Sequence, residues 1–218
     1  ARGIDLAPEL RFLKQSLDEL KAAEGWYENP MHAPPRRQVS HMHLFNASLE
    51  MYAATGESDW RDVAEECLEI FITRIAAPDG SVREYFDADW RPLTGGQRFE
   101  PGHSAEWLSL LHRYECVTEA PAGADIGVMF QYLLHSVDEY GLLPDCTDPR
   151  ERTRRLWPQT SFLKALLALR HYGVVHPGCS PETVMNRIFS EYLTTQVAGG
   201  WYDQRSCEGK LISDRMPS

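Results

Sequence analysis

The side chains best suited to moving protons stand where helices are predicted to begin. Near Ser40 come His41 and His43; near Pro101 come Glu100, His103, Glu106 and Trp107; near Pro158 come Trp157 and Gln159. The stripe Trp107, Leu110, Leu111 and Tyr114, projected back one helical turn, lands on His103, with Glu106 beside it at i+3. A histidine and a carboxylate on the buried edge of a helix make a proton-transfer pair. The carboxylate fixes the imidazole tautomer and raises its basicity. The same spacing also describes a satisfied core histidine. His41 and His43 differ by two positions, so on a helix they point to different sides. His43 is the better candidate to face a cavity, because Leu44, Ala47 and Met51 continue its side. Trp157 reads either as a core anchor or as a stacking plate for a sugar ring. A metal held by His43, His103 and Glu106 has no HExxH-like spacing behind it, so neither a metal nor another cofactor is expected.

These residues need helices to carry them. Apolar positions recur near 3.6 residues from Pro8 to Glu24, with Leu10, Leu13, Leu17 and Leu20 in register. Further helices are predicted over about 40–55, 59–75, 101–117, 124–140 and 158–173, and a seventh from Ser180-Pro181-Glu182. In that last start a capping serine precedes proline at the first helical position. His112, His135, His171 and His176 fall late in helices or in loops and read as ordinary histidines.

Between the helices lie glycine-led segments that end in acid. They are Gly25-Trp26-Tyr27-Glu28, Gly80 through Val82, Glu84 and Asp87, Gly141 through Asp145, and Gly200-Trp201-Tyr202-Asp203. Each follows a predicted helix and suits a short strand or hairpin arm after a glycine stop. Their glycines are 55, 61 and 59 residues apart, and the helix starts at Ser40, Pro101 and Pro158 are 61 and 57 apart. That is an internal repeat of two helices and one loop. One hairpin cannot bury its apolar face alone, so such units stack. The expected fold is all-α: a toroid of helical hairpins with short β-hairpin loops. Six hairpins at this period need roughly 350 residues. Residues 1–218 are therefore expected to form a single, partial toroid domain, an incomplete arc. Helix starts one repeat apart should share a rim, with His43, His103 and Trp157 facing one hollow. Leu10, Leu13 and Leu17 would lack a covering neighbour, which allows homo-oligomerisation.

Composition narrows the partners. The 218 residues carry a net charge of -10, with 22 Lys and Arg against 32 Asp and Glu. That balance argues against nucleic acid and an anionic membrane surface as partners. No apolar run approaches the roughly 20 residues of a membrane span. Five cysteines, without CxxC spacing, read as reduced thiols in a cytoplasmic protein.

Taken in order, His41-Met42-His43-Leu44, Glu100-Pro101-Gly102-His103 with Glu106-Trp107, and Arg155-Leu156-Trp157-Pro158-Gln159-Thr160 resemble the N-acylglucosamine 2-epimerase family. Gly200-Trp201-Tyr202-Asp203-Gln204 and Ser213-Asp214-Arg215-Met216-Pro217-Ser218 are similar too. The resemblance covers essentially the whole chain. It implies an (α/α)6 barrel and a sugar 2-epimerase or aldose–ketose isomerase acting on N-acylglucosamine, mannose or a related mono- or disaccharide. It implies His103 as a catalytic base with Glu106 as its partner, and Trp157 as the stacking residue. His43, Glu100, Trp107 and Gln159 would help bind the sugar. Four positions depart from the family's pattern: Val39-Ser40, Asn46 and Ser161 stand where it often has Asn-Pro, Glu and Glu. Its second catalytic histidine would follow Ser218 and its early arginine would precede Ala1, so the chain is expected to be part of an epimerase. A glycoside hydrolase on the same toroid, or a non-catalytic sugar-binding fragment, is the alternative.

Overall fold

In a computed structural model of the chain, residues 7–93, 98–148, 153–176 and 178–212 are described. The Ser213–Ser218 motif lies outside them. All seven expected helices are present: α1 (Ala7–Leu20), α2 (Gln38–Thr55), α3 (Ser58–Ile70), α4 (Pro101–Thr118), α5 (Ile126–Leu134), α6 (Leu156–His171) and α7 (Pro181–Ile188). The short strands are β1 (Arg36–Arg37), β2 (Tyr85–Phe86), β3 (Thr153–Arg155) and β4 (Gln204–Ser206). β1 pairs antiparallel with β2, and β3 with β4.

The chain divides into two compact units. The first holds Ala1–Arg74 and Tyr85–Gly95, the second Ile75–Glu84 and Gly96–Ser218. In the first, α2 packs on α3. Met42, Phe45 and Leu49 of α2 and Trp60, Ala64 and Cys67 of α3 are all buried. Helix α1 has the predicted period but no buried residue, and Phe12 and Leu13 stay exposed. Lys14 of α1 pairs with Glu57, and Lys21 just past its end pairs with Glu66, which ties this end of the chain to α3 and the turn before it. In the second unit α4 packs chiefly on α6, α5 covers α4, and α7 covers α6. Trp107, Leu108 and Leu111 share that core with Phe162, Ala165 and Leu169.

The repeat shows in matching details. Helices α3 and α7 both end in a π-helical turn, Phe71–Ile75 and Phe189–Leu193. Ser180 caps α7 as expected, accepting from the Thr183 amide at 3.1 Å. Two expectations need correction. The last loop's left-handed glycine is Gly199, with φ of 77°, one residue before the predicted Gly200. Helix α5 stops at Leu134 rather than near Tyr140. The Asp138 carboxylate accepts from the Tyr140 and Leu142 amides at 2.9 and 3.0 Å, and this local turn competes with the helix.

Candidate active site

The three repeats can be aligned on the N-cap residues of α2, α4 and α6, which are Arg37, Glu100 and Arg155. In α2 the residue four past the N-cap is His41, 1% exposed, and its Nε2 accepts from the Trp26 amide at 3.1 Å. In α6 the same offset holds Gln159, fully buried. Its Oε1 accepts from the Leu143 amide at 2.9 Å, and its Nε2 donates to the Leu143 and Arg155 carbonyls. Both side chains brace a glycine-led loop through its backbone. The loop acids also match: Glu28 accepts from the Arg37 amide, and Asp145 from the Arg155 amide at 2.6 Å. The acids at the loop ends therefore serve the backbone of the following helix start.

Helix α4 differs. Four past its N-cap stands Ser104, whose buried Oγ has no hydrogen-bond partner among the described residues. The loop acid Glu84 meets a histidine. His103 Nδ1 lies 3.1 Å from each Glu84 oxygen and 3.9 Å from Glu100 Oε2. The side chains of His103 and Glu84 are 12% and 5% exposed. His103 Nε2 has no bond within the described residues. Burial alone would push the imidazole pKa down. The Glu84 hydrogen bond and charge, with Glu100 and Glu106 adding, overcome this and hold it above the usual histidine value. Burial, opposed by the His103 charge, pushes the Glu100 carboxyl up; Glu84 and Asp145 add to this, while Arg98 opposes it.

Trp157 supplies the wall. Its ring lies 5.3 Å from the His103 ring, centroid to centroid, at 35°. Gly102 makes the approach possible. A Cβ there would stand 2.5 Å from the indole Cη2 and Cζ3 atoms, well inside contact distance. The indole is half-buried, so part of it remains accessible.

Several sequence expectations change here. His103 and Trp157 do stand side by side in the second unit. The carboxylate on His103 is Glu84, not Glu106, which is half-buried and acts on the imidazole only as the last of several charges. Trp107 is fully buried and belongs to the core. Gln159 has its amide bonded to backbone and holds the Leu143 loop. His43 is exposed on α2 of the first unit, while His41 faces the interior. Glu84 was legible as the acid four residues after Gly80, as Asp145 is after Gly141. Which group each acid would serve was not.

A cavity of about 700 Å³ elsewhere in the second unit is lined by Asp138, Glu139, Asp148, Glu208 and their neighbours. It includes neither His103 nor Glu84 nor Trp157. An imidazole bonded to a buried carboxylate is the stronger guide to function. Among the described residues, no group of three His, Cys, Asp or Glu is placed to hold a metal ion. No helix there is long and apolar enough to cross a membrane.

Residues 9–218 match the N-acylglucosamine 2-epimerase (GlcNAc 2-epimerase) family, and the chain belongs to it. Over 212 residues it is 30% identical to a mannose-6-phosphate isomerase of Rhizobium meliloti (strain 1021), covering 85% of this chain and 52% of that protein. Its fold is that of the cellobiose 2-epimerase from Spirochaeta thermophila DSM 6192: the TM-score is 0.81 at 23% identity, over 99% of this chain and 60% of that one. A D-mannose isomerase structure matches with a TM-score of 0.73 at 17% identity, over 97% and 60% of the two chains. The fold class is thus the (α/α)6 hairpin toroid of these epimerases. The chain spans about half the length of the curated relative and 60% of these solved chains.

Proposed function

We propose that this chain carries a proton-transfer site of a sugar 2-epimerase or aldose–ketose isomerase, with His103 as a base at C2. The observation that carries the reading is the buried His103–Glu84 pair beside the Trp157 ring. The names of its relatives, a mannose-6-phosphate isomerase and a cellobiose 2-epimerase, point to the same substrate class. An open-chain aldose loses its C2 proton to neutral His103 Nε2. The C–H electron pair moves into the C1 carbonyl, giving an enediolate. Return of a proton to C2 from the other face re-forms the C1 carbonyl and gives the epimer. Delivery to C1, with the O2 hydroxyl proton passing to O1, gives the ketose. A base of raised pKa suits this step at neutral pH. The Trp157 indole can take the apolar face of the sugar while Glu100 accepts hydroxyl protons at the edge.

The test is solvent exchange. Mannose, N-acetylmannosamine and cellobiose are incubated with the chain in deuterated water, and C2 is read by NMR. We expect deuterium at C2 of at least one sugar. Hydrolysis of cellobiose without exchange, or no exchange on any of them, would overturn the reading.

A further inference from the structure

We propose that Glu84 is the positioning residue of this site, holding the His103 proton on Nδ1 so that Nε2 is the atom that meets the substrate. The proposal rests on the reading of His103 as the C2 base. Its evidence is geometric. Nδ1 lies 3.1 Å from both Glu84 oxygens and also faces Glu100 Oε2 at 3.9 Å. An ionised carboxylate can only accept, so the nitrogen between these groups must donate. In neutral imidazole the other nitrogen, Nε2, is then the lone-pair atom, the only one able to take a proton from carbon.

Repeat logic supports a dedicated role. Glu28 and Asp145 each give one oxygen to the backbone amide of Arg37 or Arg155, the N-caps of the helices that follow. Glu84 occupies the corresponding loop and sets both oxygens against an imidazole. The adjoining Ser104 leaves its Oγ unpartnered, where its counterparts His41 and Gln159 brace a loop. A helix start that lacks the loop brace of its two counterparts departs from the local pattern, and such departures gather at functional sites. The charged groups around His103 are Glu84 from the loop and Glu100 and Glu106 from its own helix start; α6 contributes the uncharged Trp157 ring. Among the described residues only Glu84 is within hydrogen-bond distance, so removing Glu106 should alter charge but not tautomer.

The deciding measurement is ¹⁵N-resolved NMR of the histidine imidazoles in the 218-residue protein, with His103→Asn used to assign the signal. We expect the neutral form to carry its proton on Nδ1 and the titration midpoint to lie above 6.5. Glu84→Gln should bring that midpoint below 6.5, because burial then prevails. Glu84→Asp should restore part of the shift, and Glu106→Gln should leave the tautomer unchanged. In C2 exchange, Glu84→Gln should lower the plateau, by no more than the roughly 100- to 10,000-fold that a general base contributes. It should also move the acidic limb to lower pH. A neutral His103 protonated on Nε2 in the unaltered protein would overturn the proposal even if Glu84 variants fail to fold. So would a midpoint that Glu106→Gln lowers and Glu84→Gln does not. The expected tautomer and midpoint without any C2 exchange would instead overturn the reading of His103 as a base and leave the positioning geometry intact.

Discussion

In the first unit His41 sits four residues past the N-cap of α2, between the rings of Trp26 and Trp90, with its Nε2 taken by the Trp26 amide. In the second, His103 sits three residues past the N-cap of α4 with carboxylates on Nδ1 and no bond at Nε2 among the described residues. One residue of offset turns a side chain by about 100° around the helix. Burial works against the charged form of both. At His41 burial is the largest influence, Arg36 and Lys21 push the same way, and the pKa falls to about 3. At His103 three carboxylates outweigh burial and the pKa rises. His41 is therefore a neutral structural acceptor at pH 7, and His103 can carry a proton and release it. The same residue type at nearly the same repeat position takes its role from its neighbours.

The largest effect expected from this contrast is a crossover. His103→Asn should cut C2 exchange about 100- to 10,000-fold, the usual span for a general base. His41→Gln should leave exchange in place. Exchange that survives His103→Asn would show that the base lies elsewhere.

Acid stability should separate the two histidines next. A depressed folded pKa means the unfolded chain binds more protons, so stability is full above about 6.5. For His41 it should fall by about 1.4 kcal/mol per pH unit down toward about 3. His103 has the opposite sign: its contribution is present below about 6.5 and fades as pH rises through its raised folded value. Gln159 shows that an amide can perform the brace without titrating. His41→Gln should therefore move the acid unfolding midpoint, followed by circular dichroism, to lower pH, and Gln159→His should move it up. An unchanged acid limb in His41→Gln would refute the buried-neutral account.

Two smaller effects probe the mouth of α4. Gly102→Ala forces the Trp157 ring away and should cost about 1–3 kcal/mol as overpacking, read as a lower thermal midpoint. Weaker sugar binding should accompany it. Ser104→Ala removes a buried hydroxyl that has no partner among the described residues. It should be neutral or stabilising within about 1 kcal/mol. A large loss there would mean that the hydroxyl is bonded through water.

Periodicity and caps determined a good deal by themselves. Helix starts and stops are local matters of 3.6-residue spacing, a proline at the first position and a capping serine, so seven helices and a repeat near 60 residues were readable in the sequence. The pairing of His103 with a carboxylate was readable too, but the partner was not. Glu106 lies three residues away along the helix, whereas Glu84 lies 19 residues upstream in a loop. Helical spacing ranks only neighbours on the same helix, and nothing local says which way a loop acid turns. Likewise Gln159 and Trp157 share one helix start, yet backbone takes the first and leaves the second half open. That division depends on which groups reach the surface of the folded unit, and the energy of an unsatisfied buried amide decides it. Tertiary structure thus sorted braces from chemistry. Burial fixes which polar groups must find partners, and only the fold brings distant ones within 3 Å.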